Sequence, residues 1–120
     1  MQRGGWQLSN YLDMIAMKEL YWLGTSLRDL RAFPARARVD AGTDLRLVQQ
    51  GAEPWDWKPM PDVGAGVHEI RLRGADGAFR VFYVVAKGDA VYVLHAFQKK
   101  SQRTARSDIE KGQARYRLVP

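Results

Sequence analysis

A chain of 120 residues with 46% hydrophobic side chains is long enough for one domain with a real core, and too apolar to stay unfolded. With no cysteine and two histidines, it has no disulfide framework, thiolate metal site or cysteine nucleophile, and no metal or cofactor is expected. Nineteen Lys and Arg against thirteen Asp and Glu leave a net charge of +6, which makes a polyanion the expected partner.

The longest apolar run, Val81 to Ala86, is far below the ~20 residues that span a bilayer, so a cytoplasmic domain without membrane contact is expected. Residues 1–16, broken by Gly4, Gly5, Ser9 and Asn10, have no regular period and read as an N-terminal extension; residues 17–120 read as one domain. Met17 opens an apolar and aromatic run through Leu23 that suits a first strand. Gly24-Thr25-Ser26 is a turn, with Ser26 placed to cap a short helix and Asp29 near its positive end. Pro34 starts a second helix that runs to about Gln50 and stops at Gly51, its apolar positions being Val39, Leu45, Leu47 and Val48.

Residues 51–66, rich in Pro and Gly, read as a connection. Three strands follow, Val67–Arg73, Ala78–Val85 and Ala90–Phe97, separated by two hairpin signals. A last helix begins near Thr104 or Ser107 and is weakened by Gly112. The predicted class is α+β: a small antiparallel sheet in β-α-α-β-β-β-α order with helices packed on one face.

Side chains alternate across a strand, so loop lengths decide which residues share a face. A four-residue loop at 74–77 sets Arg71 opposite Arg80. A four-residue loop at 86–89 sets Arg80 opposite His95, whereas a two-residue loop at Gly88-Asp89 makes them diagonal neighbours on the same face. One face thus carries Glu69, Arg71, Arg73, Arg80 and His95. The other carries Ile70, Leu72, Phe79, Val81, Tyr83, Tyr92, Leu94 and Ala96, a core face for helices, with His68 structural on that side.

Adjacent cations repel unless an anion joins them. One reading pairs Glu69 with Arg71 or Arg73 and leaves the rest solvated. The other is a phosphate site, since Arg forks grip phosphate oxygens bidentately and a neighbouring imidazole suits proton transfer. Lys58 lies in the restricted Trp57-Lys58-Pro59-Met60-Pro61 segment, where prolines can aim its amine. Trp55 and Trp57 suit either base stacking or anchoring that loop to the core, the latter being preferred. Residues 95–120 hold seven basic and two acidic side chains, so five of the six surplus charges lie there; Lys99, Lys100, Arg103 and Arg106 suit nucleic-acid backbone.

Four segments in fixed order carry a resemblance: Lys58-Pro59-Met60-Pro61, Gly64 through Arg71, Gly77-Ala78-Phe79-Arg80-Val81, and Tyr92 through Lys100. Together with Leu27 through Pro34, they resemble the phage-derived, HigB-like branch of the RelE/ParE toxin superfamily over roughly residues 17–118. The resemblance implies a RelE-like toxin domain, ribosome-dependent cleavage of messenger RNA, and neutralisation by a cognate helix-turn-helix antitoxin. By motif position it also implies that Lys58, Arg71, Arg80 and His95 form the basic active site, with Lys99 a charged position after the last strand.

Arg73, Lys100, Arg103 and Arg106 would then hold RNA. The expected chemistry is metal-free attack of the 2′-hydroxyl on phosphorus, with His95 moving protons, Arg71 and Arg80 stabilising charge, and Lys58 positioning phosphate or sharing the base role. Two rivals are a non-catalytic ParE-like protein that poisons gyrase and an inactive RNA-binding protein. Members of the branch begin near Met17 and usually open the last helix with proline where this chain has Ala105.

Overall fold

In a computed structural model, residues 17–86 and 89–120 are described; the extension predicted at 1–16 lies outside them. The element order is β1 (Glu19–Trp22), α1 (Ser26–Arg31), α2 (Ala35–Gln49), β2 (Trp57–Pro59), β3 (Val67–Gly74), β4 (Gly77–Ala86), β5 (Ala90–Lys99) and α3 (Arg106–Tyr116). The strands form one five-stranded sheet in the order β1-β5-β4-β3-β2.

The α+β class and the predicted order hold, with three corrections. The sheet is mixed, because β1 runs parallel to β5. A short strand, β2, hides in the proline-rich connection and pairs antiparallel with β3 at the sheet edge, where Pro59 leaves no central ladder bond unmade. Helices cover both faces rather than one.

Two apolar clusters explain the last point. On one face α1 and α2 lay Leu30, Phe33, Ala37, Ala41, Leu45 and Val48 on sheet residues that include Ile70, Leu72, Phe79, Val81, Tyr83, Val91 and Val93. Helix α2 makes its contact through Ala37 and Ala41 together with Leu45 and Val48, while Val39 is exposed. Pro34 supplies its N-cap, and Gly51, with φ +87°, takes the left-handed conformation that ends it.

On the opposite face Met60, Val63, Val67, Phe82, Val84, Leu94 and Phe97 receive Ile109 and Tyr116 of α3 and Val119 beyond it. Helix α3 seats closely through Gly112, where an added Cβ would lie 2.9 Å from both Phe82 and Val63. The residue that weakens the helix by propensity therefore lets it reach the sheet.

The helix starts differ from the sequence expectation in detail. Neither Thr104 nor Ser107 caps α3, whose N-cap is Ala105. Ser26 is the first residue of α1, not its cap; its buried hydroxyl donates to the Val93 carbonyl at 3.1 Å and ties α1 to β5. Thr25 occupies the cap position and donates to the Asp29 carboxylate at 2.6 Å.

Register is as predicted in the first hairpin, where Arg71 faces Arg80 and Arg73 faces Ala78. In the second it moves twice. Ala86 pairs with Ala90, one step closer to the turn than a four-residue loop allows, and a bulge at Phe82/Tyr83 leaves Leu94 as an extra residue on β5. Arg80 consequently faces Phe97, and Phe82 faces His95. The two single steps add to two, so His95 stays on the face of Arg80 but becomes its diagonal neighbour. The switch also corrects the placement of Tyr92 and Leu94, which join the α3 face rather than the α1–α2 face.

Candidate active site

The face bearing Arg80 is a grid of cross-strand rows. One row runs Lys58, Glu69, Phe82, His95 across four strands; the next runs Arg71, Arg80, Phe97; a third runs Arg73, Ala78, Lys99. Basic groups thus collect toward the β3–β4 turn, and apolar groups toward α3.

Glu69, 0% exposed, sits at the centre of the basic end. Its Oε1 lies 3.5 Å from Nε of Arg80, which is itself buried. That separation is an ion pair rather than a good hydrogen bond, and both Glu69 oxygens and Arg80 Nε lack a hydrogen-bond partner among the described residues. Arg80 Nη1 donates to the Phe79 carbonyl at 3.0 Å, which holds the guanidinium in place. Burial lowers the Arg80 pKa and Glu69 opposes that shift, so the carboxylate keeps the cation charged beneath the surface.

Arg71 and Arg73 act on Arg80 electrostatically, and Arg80, Lys58 and Arg71 act on Lys99. Partial desolvation, then repulsion from Arg80, lowers the Lys99 ammonium from the ordinary lysine range. One buried carboxylate, Glu69, therefore sits among Lys58, Arg71, Arg80 and Lys99, with Asp56 a weaker negative influence on Arg80. The surplus of cations over one open patch favours a dianionic or multiply anionic ligand such as a phosphodiester in transition.

His95 occupies a different environment. It is 3% exposed, stacked on Phe97 with centroids 4.8 Å apart, and clamped by α3. Its Nε2 lies 2.7 Å from Asp108 Oδ1, and its Nδ1 lies 3.4 Å from Arg115 Nη1. Arginine can only donate, so Nδ1 accepts and Nε2–H donates to Asp108: this is the neutral imidazole. Burial, the larger influence, lowers the His95 pKa even against the pull of Asp108.

Arg115 also donates to the Leu94 carbonyl at 3.0 Å and to Thr25 Oγ1 at 3.1 Å, linking α3, β5 and α1. Asp108 and Arg115, seven residues apart and hence on one helical face, were not singled out from sequence; that spacing opposite a strand histidine is the signal that could have found them.

Of the residues expected to act together, the fold gathers Lys58, Arg71, Arg80 and Lys99. His95 shares the row of Lys58 and Glu69 but stands at its far end beyond Phe82, diagonal to Arg80 and beside Phe97. Arg73 is exposed at the rim. Lys100, Arg103 and Arg106 are exposed on the strand-to-helix connection and the start of α3, with Arg106 bridged to Glu110 at 3.3 Å. Trp57 stacks on His68 at 4.2 Å, and His68 Nδ1 meets the Tyr83 hydroxyl at 3.1 Å, so both are structural as expected. Trp55 corrects the anchoring expectation: it is 92% exposed.

Among the described residues no helix is long and apolar enough to cross a membrane, and no group of three or more acidic or histidine side chains converges as a metal site would. Comparison with curated proteins gives no match. Among solved structures, the free E. coli toxin RelE, as a double mutant, is similar with a TM-score of 0.55 and 20% identity, over 79% of this chain and 96% of that one. The RelBE2 toxin–antitoxin complex from Mycobacterium tuberculosis is similar at TM-score 0.49 and 22% identity, over 74% of this chain and 99% of that one. The fold is thus that of RelE. The family described as "Phage derived protein Gp49-like (DUF891)" matches residues 28–117, which spans all four strands of the β2–β5 meander and all three helices but the first two residues of α1, and the chain belongs to that family.

Proposed function

We propose that this protein is the toxin of a toxin–antitoxin pair and that it cleaves messenger RNA on the translating ribosome, at the HigB-like site expected from its motifs. The observation that carries this reading is the group of four cations, Lys58, Arg71, Arg80 and Lys99, arranged about one buried carboxylate. The RNA 2′-oxygen forms a bond to the adjacent phosphorus, the bond to the 5′-oxygen breaks, and the products are a 2′,3′-cyclic phosphate and a 5′-hydroxyl. The 2′-hydroxyl proton leaves to a base and another proton reaches the departing 5′-oxygen, so the reaction consumes no co-reactant.

Arg80, fixed by Glu69 and the Phe79 carbonyl, and Arg71 beside it stabilise charge on the non-bridging oxygens. Lys58, opposite Glu69 on the edge strand, positions the phosphate. Lys99 carries a proton, a role its lowered pKa favours. His95, neutral and enclosed under α3, acts as a positioning residue, a change from the role its motif implied. Exposed Arg73, Lys100, Arg103 and Arg106 offer contacts to ribosomal or messenger RNA backbone. A cognate helix-turn-helix antitoxin neutralises the site.

Mapping transcript 5′ ends after induction tests this reading. New 5′-hydroxyl ends within translated messages, lost in Lys99→Ala, are expected. Intact messages together with DNA damage would replace it with gyrase poisoning, and intact messages without damage would leave an RNA-binding protein.

A further inference from the structure

Trp55 is the most exposed of the large apolar side chains among the described residues, at 92%, although tryptophan is a residue that folding usually covers. Its backbone is nevertheless fixed. The Trp55 N–H donates to Asp44 Oδ1 at 3.3 Å, and the carbonyl of Asp56 accepts from the Arg71 N–H at 2.8 Å. An anchored loop thus holds an indole out at the lip of a cleft of about 500 Å³, with Arg71, Arg73, Asp44, Asp56 and Thr43 among its walls.

Arg71 belongs to both places, since it lines this cleft and faces Arg80 across the β3–β4 ladder. We infer that the cleft is a nucleotide subsite beside the scissile phosphate, in which an RNA base stacks on Trp55, its backbone phosphate meets Arg71 and Arg73, and Asp44 and Asp56 accept from base N–H groups. This rests on the RNA-cleavage reading and adds to it a residue set that reads a neighbouring base.

The chemistry favours RNA over a protein occupant. An indole face stacks on any base, and two arginines beside it fit a phosphodiester. Arg36 is already bridged to Asp40 at 3.2 Å, which leaves Arg71 and Arg73, on the edge of β3, as the cleft's cations without an ion-pair partner among the described residues. Asp44 is buried at the cleft wall, where Oδ1 already accepts from the Trp55 N–H and the ionised carboxylate can only accept further bonds. Guanine presents two adjacent donors, N1–H and its 2-amino group, to such a carboxylate, whereas uracil offers only its N3–H, so guanine is favoured over uracil at this position.

Binding of a fluorescein-labelled, uncleavable 2′-O-methyl RNA hexamer to the full chain, read by anisotropy, tests the subsite. Trp55→Ala is expected to weaken binding about tenfold and Trp55→Phe to leave it near that of the parent. The exposed ring contributes little to folding, and the backbone bond to Asp44 persists in both variants. Equal affinity of Trp55→Ala and the parent overturns the inference, as does no binding by the parent at millimolar RNA. Unchanged RNA affinity in a Trp55→Ala protein that no longer binds its antitoxin assigns the cleft to a protein and overturns it too. Transcript mapping separates the two readings: if the parent leaves messages intact but Trp55→Ala loses hexamer binding, the subsite stands and cleavage does not.

Discussion

The two ends of one sheet face hold the same kinds of residue in opposite states. At the basic end Lys58, Arg71 and Lys99 surround the Arg80–Glu69 pair, Lys58 exposed and Lys99 partly so. At the other end His95, which by residue type is the better proton carrier, is sealed between Phe97 and α3 with both ring nitrogens committed. The contrast shows that a titratable group earns a chemical role through access and a free valence, not through residue type. On β4 and β5, a step of two residues, from Arg80 to Phe82 and from Lys99 to Phe97, crosses from charged side chains to packed aromatic ones.

Breaking the buried pair at the basic end is expected to have the largest effect on the fold. Glu69→Ala leaves Arg80 buried without its counter-charge, at a cost of about 3–5 kcal/mol in chemical denaturation. At the other end, Asp108→Ala strips the His95 Nε2–H of its acceptor and should cost about 1–3 kcal/mol in the same measurement. A smaller penalty in Asp108→Ala than in a surface control would mean that α3 is not held through His95.

Gly112→Ala sharpens the comparison from the helix side. Alanine gains up to about 1 kcal/mol in helix propensity, but overpacking against Phe82 and Val63 costs about 1–3 kcal/mol, so net destabilisation is expected. A gain in stability would show that the close seating is not required. The smallest effect is in pH. Because His95 titrates below its unfolded value near 6.5, the folded chain binds fewer protons; its contribution is complete above about pH 6.5 and is lost as pH falls through the folded pKa. His95→Gln should flatten that part of the stability profile.

Much of this layout is legible in the sequence, and the failures have physical causes. Gly74-Ala75-Asp76-Gly77 fixes the β3–β4 turn, and parity then sets Arg71 opposite Arg80. The bulge at Leu94 leaves no local mark, because an apolar residue there suits either face, so Tyr92 and Leu94 are misassigned and Phe97 takes the place expected for His95. Three residues of β2 among prolines carry too little alternation to read as a strand, yet that edge is what brings Lys58 to Glu69. The burial of His95 depends on Asp108 and Arg115, which counting charges treats as surface.

The most direct test of the division between the two ends is cleavage of a defined message on purified translating ribosomes by Lys99→Ala and His95→Gln, each checked for folding by circular dichroism. If chemistry belongs to the open basic end, Lys99→Ala loses about 100-fold or more in rate, whereas His95→Gln, which can still donate to Asp108, stays within about tenfold of the parent. The opposite order, with His95→Gln inactive and Lys99→Ala near the parent rate, would contradict this account.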